Sequence, residues 1–375
     1  RCFLHSYGPG TIRERGEDLI PVMQPRLSLD LAEIERSFSE VLESGQYSNF
    51  GQKATRLEQV IGEFIGLDPV QVVVMSSATS AISGASTVLS VSRWVMPSWT
   101  FAATPLALVA AGQEFSFVDT AENSHWVAWN EFLEDPVGLV AVAPFGLPVP
   151  GELLCRAGPT VLDCAASLPA FEKSSPEIGS NVVLAFSLHA TKVLGIGEGG
   201  VAVCGSEEVA RSLRAWTNFG FKGAREASLC GVNAKMSEFQ ASVGLEVFRN
   251  WESEKEEWLS SRELIRRFSA DLPAKLLDPE DNSGFVSPYW ILDFNSERER
   301  VAAEALLTEA QIDCRRWWGN GTHDMQALRH IPRAQLVNTE QRAASSLGLP
   351  FFRGLTGSSV QRIVGSLIDG LGRLA

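Results

Sequence analysis

No stretch of the 375 residues is apolar for long enough to approach a membrane span, and the start, Arg1 to Gly16, lacks the apolar centre of a secretory signal. The chain does not begin with methionine, which leaves its true N-terminus open. Basic tracts are absent as well: 32 Lys and Arg face 45 Asp and Glu, a formal net charge of −13. Nucleic-acid affinity comes mainly from cationic contacts, so a phosphate backbone is not the expected partner. The six cysteines, Cys2, Cys155, Cys164, Cys204, Cys230 and Cys314, form no Cys-x-x-Cys pair. That excludes the usual zinc spacing and a disulfide scaffold, and reads as reduced thiols of a cytoplasmic protein. There is no internal repeat or low-complexity tract. What remains is a chain of ordinary globular composition, long enough for about two domains.

The most informative segment is Ser187-Leu188-His189-Ala190-Thr191-Lys192, followed by Gly197-Glu198-Gly199-Gly200. A lysine fixed beside a carbonyl and held unprotonated forms an imine, as pyridoxal phosphate (PLP) chemistry requires. Lys192 is the candidate, and Ser187 a candidate phosphate ligand. Upstream, Val72-Val73-Val74-Met75 reads as a buried strand running into Ser76-Ser77-Ala78-Thr79-Ser80, where a helix should begin. Free N–H groups and the positive dipole end at such a start suit a phosphate, with Ala78, Thr79 and Ser80 as contacts. Phe101, in Pro97-Ser98-Trp99-Thr100-Phe101, is placed to lie on a pyridine ring. Asp163, closing the apolar run Thr160-Val161-Leu162, would keep the ring nitrogen protonated.

With these parts in order, the chain resembles the DegT/DnrJ/EryC1/StrS family of PLP-dependent sugar aminotransferases. The likeness covers nearly the whole chain. It is carried by "SSATSAI" at 76–82, "PSWTFAAT" at 97–104, "VLDCAAS" at 161–167, "FSLHATKVLGIGEGG" at 186–200 and "NFGF…GVNAKMSEFQASVGL" at 218–245. The resemblance implies an α/β protein of the aspartate aminotransferase fold (type I): a large mixed-sheet α/β/α cofactor domain over residues 1–248 and a smaller α+β domain over 249–375. It makes Lys192 the Schiff-base lysine, Asp163 the pyridinium partner, Phe101 the stacking ring, and Ala78, Thr79 and Ser187 the phosphate cradle. Asn233 matches a residue that reaches the cofactor of the neighbouring subunit in a homodimer. The implied substrates are a nucleotide-linked keto sugar, most similar to a dTDP-4-keto-6-deoxyhexose, and L-glutamate as amino donor. Two positions depart from the family pattern. Ala78 stands where glycine is usual, and Ala166 where a glutamine or histidine bonds the cofactor's phenolic oxygen; losing such a partner costs on the order of 1–3 kcal/mol unless something replaces it.

Other readings are weighed against this one. Gly195 to Gly200 matches the dinucleotide pattern G-x-G-x-x-G, but a helix must follow those glycines, and Val201-Ala202-Val203-Cys204 reads as a strand. A sugar dehydratase of the same family would carry histidine in place of Lys192, while Ala166 is the motive for considering a non-catalytic relative that serves as a binding or regulatory partner. Trp317 and Trp318 are read as packing residues, and His189 as a buried histidine without a proton-transfer role. Arg315, Arg316, Lys222 and Arg225 are candidates to meet a diphosphate.

Periodicity completes the expectation. Asp30 should cap a helix with Ile34, Phe38, Val41 and Leu42 on one face and Gly45 at its end. A second helix carries Leu57, Ile61, Phe64 and Ile65 as far as Gly66. Short apolar runs at 71–75, 94–97, 115–118, 138–144, 160–163, 182–187 and 200–204 read as strands of a sheet covered on both faces. From Ser237 to about Leu272 the pattern is one long helical stretch, and its charged run Trp251 to Glu257 reads as a solvated face. Tyr289 to Leu292 and Asp313 to Trp318 read as strands, 297–310 and 358–372 as helices.

Overall fold

The computed structural model describes residues 19–132, 137–280 and 284–371. Its centre is a seven-stranded sheet: β1 (Val72–Met75), β2 (Trp94–Pro97), β3 (Phe115–Val118), β4 (Gly138–Val142), β5 (Thr160–Asp163), β6 (Val182–Ser187) and β7 (Gly200–Cys204), in the order β1-β7-β6-β5-β4-β2-β3. Only β7 runs against its neighbours. All seven strands fall where the short apolar runs predict them.

Strand side chains alternate between faces, and here both faces are buried. Val72, Val74, Leu139, Leu162, Val182, Leu184, Val201 and Val203 join a core with α2 (Gln52–Ile65), α7 (Glu238–Arg249) and α8 (Trp251–Ser269). Val73, Met75, Val140, Val161, Val183, Ala185 and Ala202 join a second core under α3 (Ala78–Val88), α4 (Ala103–Ala110) and α6 (Glu207–Thr217). A sheet covered twice needs apolar residues at every strand position, hence the uninterrupted runs.

The N-terminal helix α1 (Leu31–Ser44) is capped by the Asp30 side chain and closed by Gly45 at φ 64°, as predicted. Leu42, however, is 60% exposed. Helix α1 lies outside α7, with Phe38 edge-on to Phe239 at 5.0 Å, so its buried stripe is narrower than the sequence suggests. Helix α2 ends at Gly66, φ 86°.

A short helix, α5 (Gly151–Leu154), precedes β5. The smaller sheet orders β10 (Ser346–Leu349), β9 (Trp290–Phe294) and β8 (Ala274–Leu276), all antiparallel, with α9 (Glu297–Glu309), α10 (Val337–Ser345) and α11 (Gly357–Leu371) packed around it. Three expectations are corrected. The long helical stretch is two helices, broken at Asn250, whose backbone leaves helical geometry (ψ 1°) while its side chain donates to the Ser28 carbonyl. The charged run is not wholly solvated: Glu254 is buried against the Arg353 guanidinium at 2.7 Å. Asp313 to Trp318 hold a single isolated bridge, Arg315 to Gly348, just after that of Ile20 to Ile312; the Trp317 indole lies over Gly348, where a Cβ would stand 2.1 Å from its Nε1.

Cys155, Cys164, Cys204, Cys230 and Cys314 are free thiols, while Cys2 lies outside the described residues. No helix among the described residues is long and apolar enough to cross a membrane.

Candidate active site

Six strands point their carboxyl ends the same way, and the chain turns that follow them collect the candidate residues at one edge. Register does the placing: Ser187 pairs with Gly200 and Gly200 with Met75, while Asp163 pairs with Ala185 two residues before Ser187. Crevices at the carboxyl edge of such sheets are where ligands bind.

The turn after β1 starts α3. Ser77 caps it, its Oγ accepting from Ser80 N at 3.1 Å, and the Ser76 and Ser80 hydroxyls lie 3.1 Å apart. The Ala78 and Thr79 amides have no partner among the described residues, as the first amides of a helix do not. Gly200 lets this turn sit directly on β7, since a Cβ there would lie 2.1 Å from the Ser77 carbonyl carbon and 2.4 Å from Ala78 N. Such a cradle, with Ser187 beside it, fits a phosphate. Strand β7 in turn confirms that no helix follows the glycines, and the dinucleotide reading falls.

Asp163 is buried at the end of β5. Thr104 Oγ1 donates to its Oδ2 at 2.6 Å and Ala165 N to its Oδ1 at 3.1 Å. Burial pushes the carboxyl above the ordinary carboxylate range, against the pull of the Thr104 and Ala165 bonds and of the nearby Lys192 amine. A carboxylate held this way accommodates a further cationic N–H. Phe101 lies on the loop between β2 and α4, 59% exposed, and its carbonyl accepts from Thr104 N at 3.2 Å, so the ring and the carboxylate share one short framework. The preceding loop is pinned from the smaller part of the molecule: Thr322 N donates to Ser98 O at 2.9 Å, and Ser98 Oγ and His323 Nδ1 are 2.6 Å apart.

Lys192 follows β6 in a turn closed by its own N–H to His189 O at 2.8 Å. Its Nζ donates to the Tyr289 hydroxyl at 2.8 Å. Tyr289 escaped the sequence reading, which took it as the start of a strand; a tyrosine ahead of a β run, in a chain with three, is the only signal it leaves. A small cleft beside Lys192 is lined by Met23, Arg26, Thr191, Trp258 and Phe352.

The remaining candidates divide. Asn233 is exposed beside Ala234, whose carbonyl accepts from Ser76 N at 2.8 Å, and Lys235 Nζ bridges the Asn233 and Asn218 side chains at 2.8 Å each. Ala166 is buried and offers no side-chain donor. His189 is partly exposed, not buried, with Nδ1 2.8 Å from Thr191 Oγ1. Arg316 is turned inward onto Asn320 Oδ1 at 2.7 Å and Ala343 O at 3.0 Å, and so leaves the set of diphosphate candidates, whereas Lys222 and Arg225 are exposed and Arg315 lies over Trp317. Trp318 is buried and stacks on Phe145 at 4.1 Å, as a packing residue should. Trp317 packs edge-on to Tyr289 at 5.1 Å and thus borders the site.

Comparison with known proteins agrees with this geometry. The family described as DegT/DnrJ/EryC1/StrS aminotransferase matches residues 29–132 and 158–368. Protein Mb3436c of Mycobacterium bovis is 28% identical over 248 residues, 60% of this chain and 59% of that protein. The dTDP-4-amino-4,6-dideoxy-D-glucose transaminase of Shigella dysenteriae is 26% identical over 239 residues, 61% of this chain and 64% of that one. The chain thus spans about three fifths of the length of the curated relatives it matches. A Bacillus cereus crystal structure, assigned as a PLP-dependent aminotransferase, superposes with a TM-score of 0.81 at 25% identity, covering 93% of this chain and 99% of that one. The fold is that of the type I PLP-dependent aminotransferases. With more than half its length matched, the chain belongs to the DegT/DnrJ/EryC1/StrS aminotransferase family.

Proposed function

We propose that this protein is a PLP-dependent aminotransferase that moves an amino group from an amino acid, L-glutamate, to a nucleotide-linked keto sugar, a dTDP-4-keto-6-deoxyhexose. The observation that carries the reading is the convergence of the Lys192 amine, the buried Asp163 carboxyl and the open α3 amides at one sheet edge. The keto sugar is inferred from the transaminase activity named for the Shigella relative, and L-glutamate from the family resemblance.

The residues present fit the cofactor. PLP, when bound, supplies an electron sink that allows an amino group to pass between two carbon skeletons. The Ala78 and Thr79 amides and the Ser187 hydroxyl would hold its phosphate, and Phe101 would cover its ring. Asp163, oriented by Thr104, would keep the ring nitrogen protonated. Lys192 Nζ would take and return the proton of the amino-bearing carbon. Exposed Phe219 and Val232, each 46% exposed, flank Asn233 and give that face the apolar character of a contact between two copies. A homodimer in which Asn233 approaches the partner's cofactor is therefore part of the proposal, and the cytoplasm is its compartment.

The test is the near-visible absorption of the protein with PLP, before and after L-glutamate without sugar. A band that glutamate converts supports the donor half of the reaction; a band that ignores glutamate points to another donor, and no band at all overturns the Lys192 assignment. Lys192→Ala should lose both the band and all turnover while keeping its melting temperature, and turnover in that variant would sink the mechanism.

A further inference from the structure

Ala166 leaves the cofactor's phenolic oxygen without a side-chain donor from the position that usually supplies one. The segment before Tyr289 packs on the loop next to Ala166: a Cβ on Gly146 would lie 2.9 Å from Ala166 O and 3.2 Å from Ser287 Oγ, and Ser287 Oγ accepts from Tyr289 N at 3.3 Å. The tyrosine is held on several sides. Arg262, itself buried, donates to its carbonyl; Phe145 and Trp317 meet its ring edge-on at 5.6 and 5.1 Å; and Ser287 Oγ donates to Phe145 O at 2.6 Å.

Its hydroxyl accepts from Lys192 Nζ at 2.8 Å. A tyrosine hydroxyl has one proton of its own to give, and that proton is not needed for the lysine contact. PLP carries its carbonyl carbon and its phenolic oxygen on adjacent ring positions. A nitrogen that bonds the first therefore lies beside the second, and a hydroxyl seated against that nitrogen is a neighbour of the same oxygen. Building on the PLP reading above, we propose that Tyr289, from the segment leading into β9, is the hydrogen-bond donor to the cofactor's phenolic oxygen and replaces the side chain missing at Ala166. Tyr289 is thereby the residue through which the smaller sheet senses and positions the cofactor of the larger one.

The donor favours negative charge on the phenolic oxygen, hence loss of the proton that this oxygen otherwise shares with the lysine nitrogen. Removing the donor raises the pH at which the band of bound PLP titrates. The test uses the full chain, stripped of cofactor and titrated with PLP. Tyr289→Phe keeps the ring between Phe145 and Trp317; it should bind PLP about tenfold more weakly and move the titration midpoint of the band up by about one unit. Adding Ala166→Gln to Tyr289→Phe should restore both values, because an amide at the vacated position reaches the same oxygen. Unchanged affinity and midpoint in Tyr289→Phe would overturn the proposal. So would a tenfold tighter PLP complex in Ala166→Gln alone, since that would mean the oxygen had lacked a partner. Failure of the unaltered protein to give any PLP band would instead bring down the functional reading, and this inference with it.

Discussion

Asp163 and Asp293 are two inward-facing aspartates on strands, one in each sheet, and they are treated in opposite ways. Asp163 receives a hydroxyl and an amide but, among the described residues, no bonded cation, and burial holds its carboxyl above the ordinary range. Asp293, on β9, is largely buried, its side chain 11% exposed. There the bond from His125, at 2.6 Å, that from Ser346 and the Arg342 guanidinium at 3.5 Å outweigh burial and lower its carboxyl. His125 is fixed in one tautomer by the same network. Its Nδ1 faces the Trp99 indole N–H at 2.9 Å, a group that can only donate, so the ring proton sits on Nε2 toward Asp293. One carboxyl is complete within the chain and serves the fold; the other is left with an affinity for positive charge, as the proposed role toward the cofactor requires.

The comparison breaks most readily at Asp163. Asp163→Asn should lower turnover about a thousandfold, as loss of a preorganised charge at a reacting centre does, while leaving the cofactor-free protein at least as stable at neutral pH. The folded value of Asp163 lies above its unfolded one, so its contribution to stability is full below the unfolded value and is lost as pH rises through the folded value. Asp163→Asn should therefore flatten that loss in the cofactor-free melting profile. A variant with normal turnover would place the ring nitrogen elsewhere. Asp293→Ala should do the reverse: it strands Arg342 and His125 and costs about 3 kcal/mol in denaturant unfolding, with PLP affinity changed less than the stability. Asp293 titrates below its unfolded value, so its stabilisation is present above that value and is lost as pH falls through the folded one. A stability profile for Asp293→Ala that kept the native acid limb would refute its structural role.

The same contrast explains what could be seen in the sequence. The seven strands of the large sheet and the residues at their ends were legible because a sheet buried on both faces writes continuous apolar runs, and because Asp163 and Ser187 close those runs and Lys192 follows in the next turn. Features created by contacts distant in sequence were not. Tyr289 reaches Lys192 across 97 positions. Glu238 caps α2 from α7, its carboxylate accepting from Lys53 N at 2.7 Å and Ala54 N at 3.2 Å, where Gly51 has no side chain to offer. The break at Asn250 depends on the Ser28 carbonyl, and the burial of Glu254 on Arg353, neither of which a local helical period can reveal.

A smaller effect sharpens the division within a single loop. Trp99 and Phe101 are two residues apart, yet Trp99 is 3% exposed, packed edge-on to Trp318 at 5.1 Å, while Phe101 is 59% exposed. An aromatic ring left in water by the fold contributes little to it, and a ring that covers a ligand contributes about 1 kcal/mol beyond its buried area. Phe101→Leu should therefore leave the melting temperature of the cofactor-free protein unchanged and weaken PLP binding about fivefold, the loss of an aromatic contact with most of the apolar cover retained. Trp99→Leu should instead lower the melting temperature by removing core volume and the His125 bond. If Phe101→Leu lost stability and kept its affinity for PLP, the ring would belong to the core or to a contact between copies, and the cover over the cofactor would have to come from another side chain of the same edge.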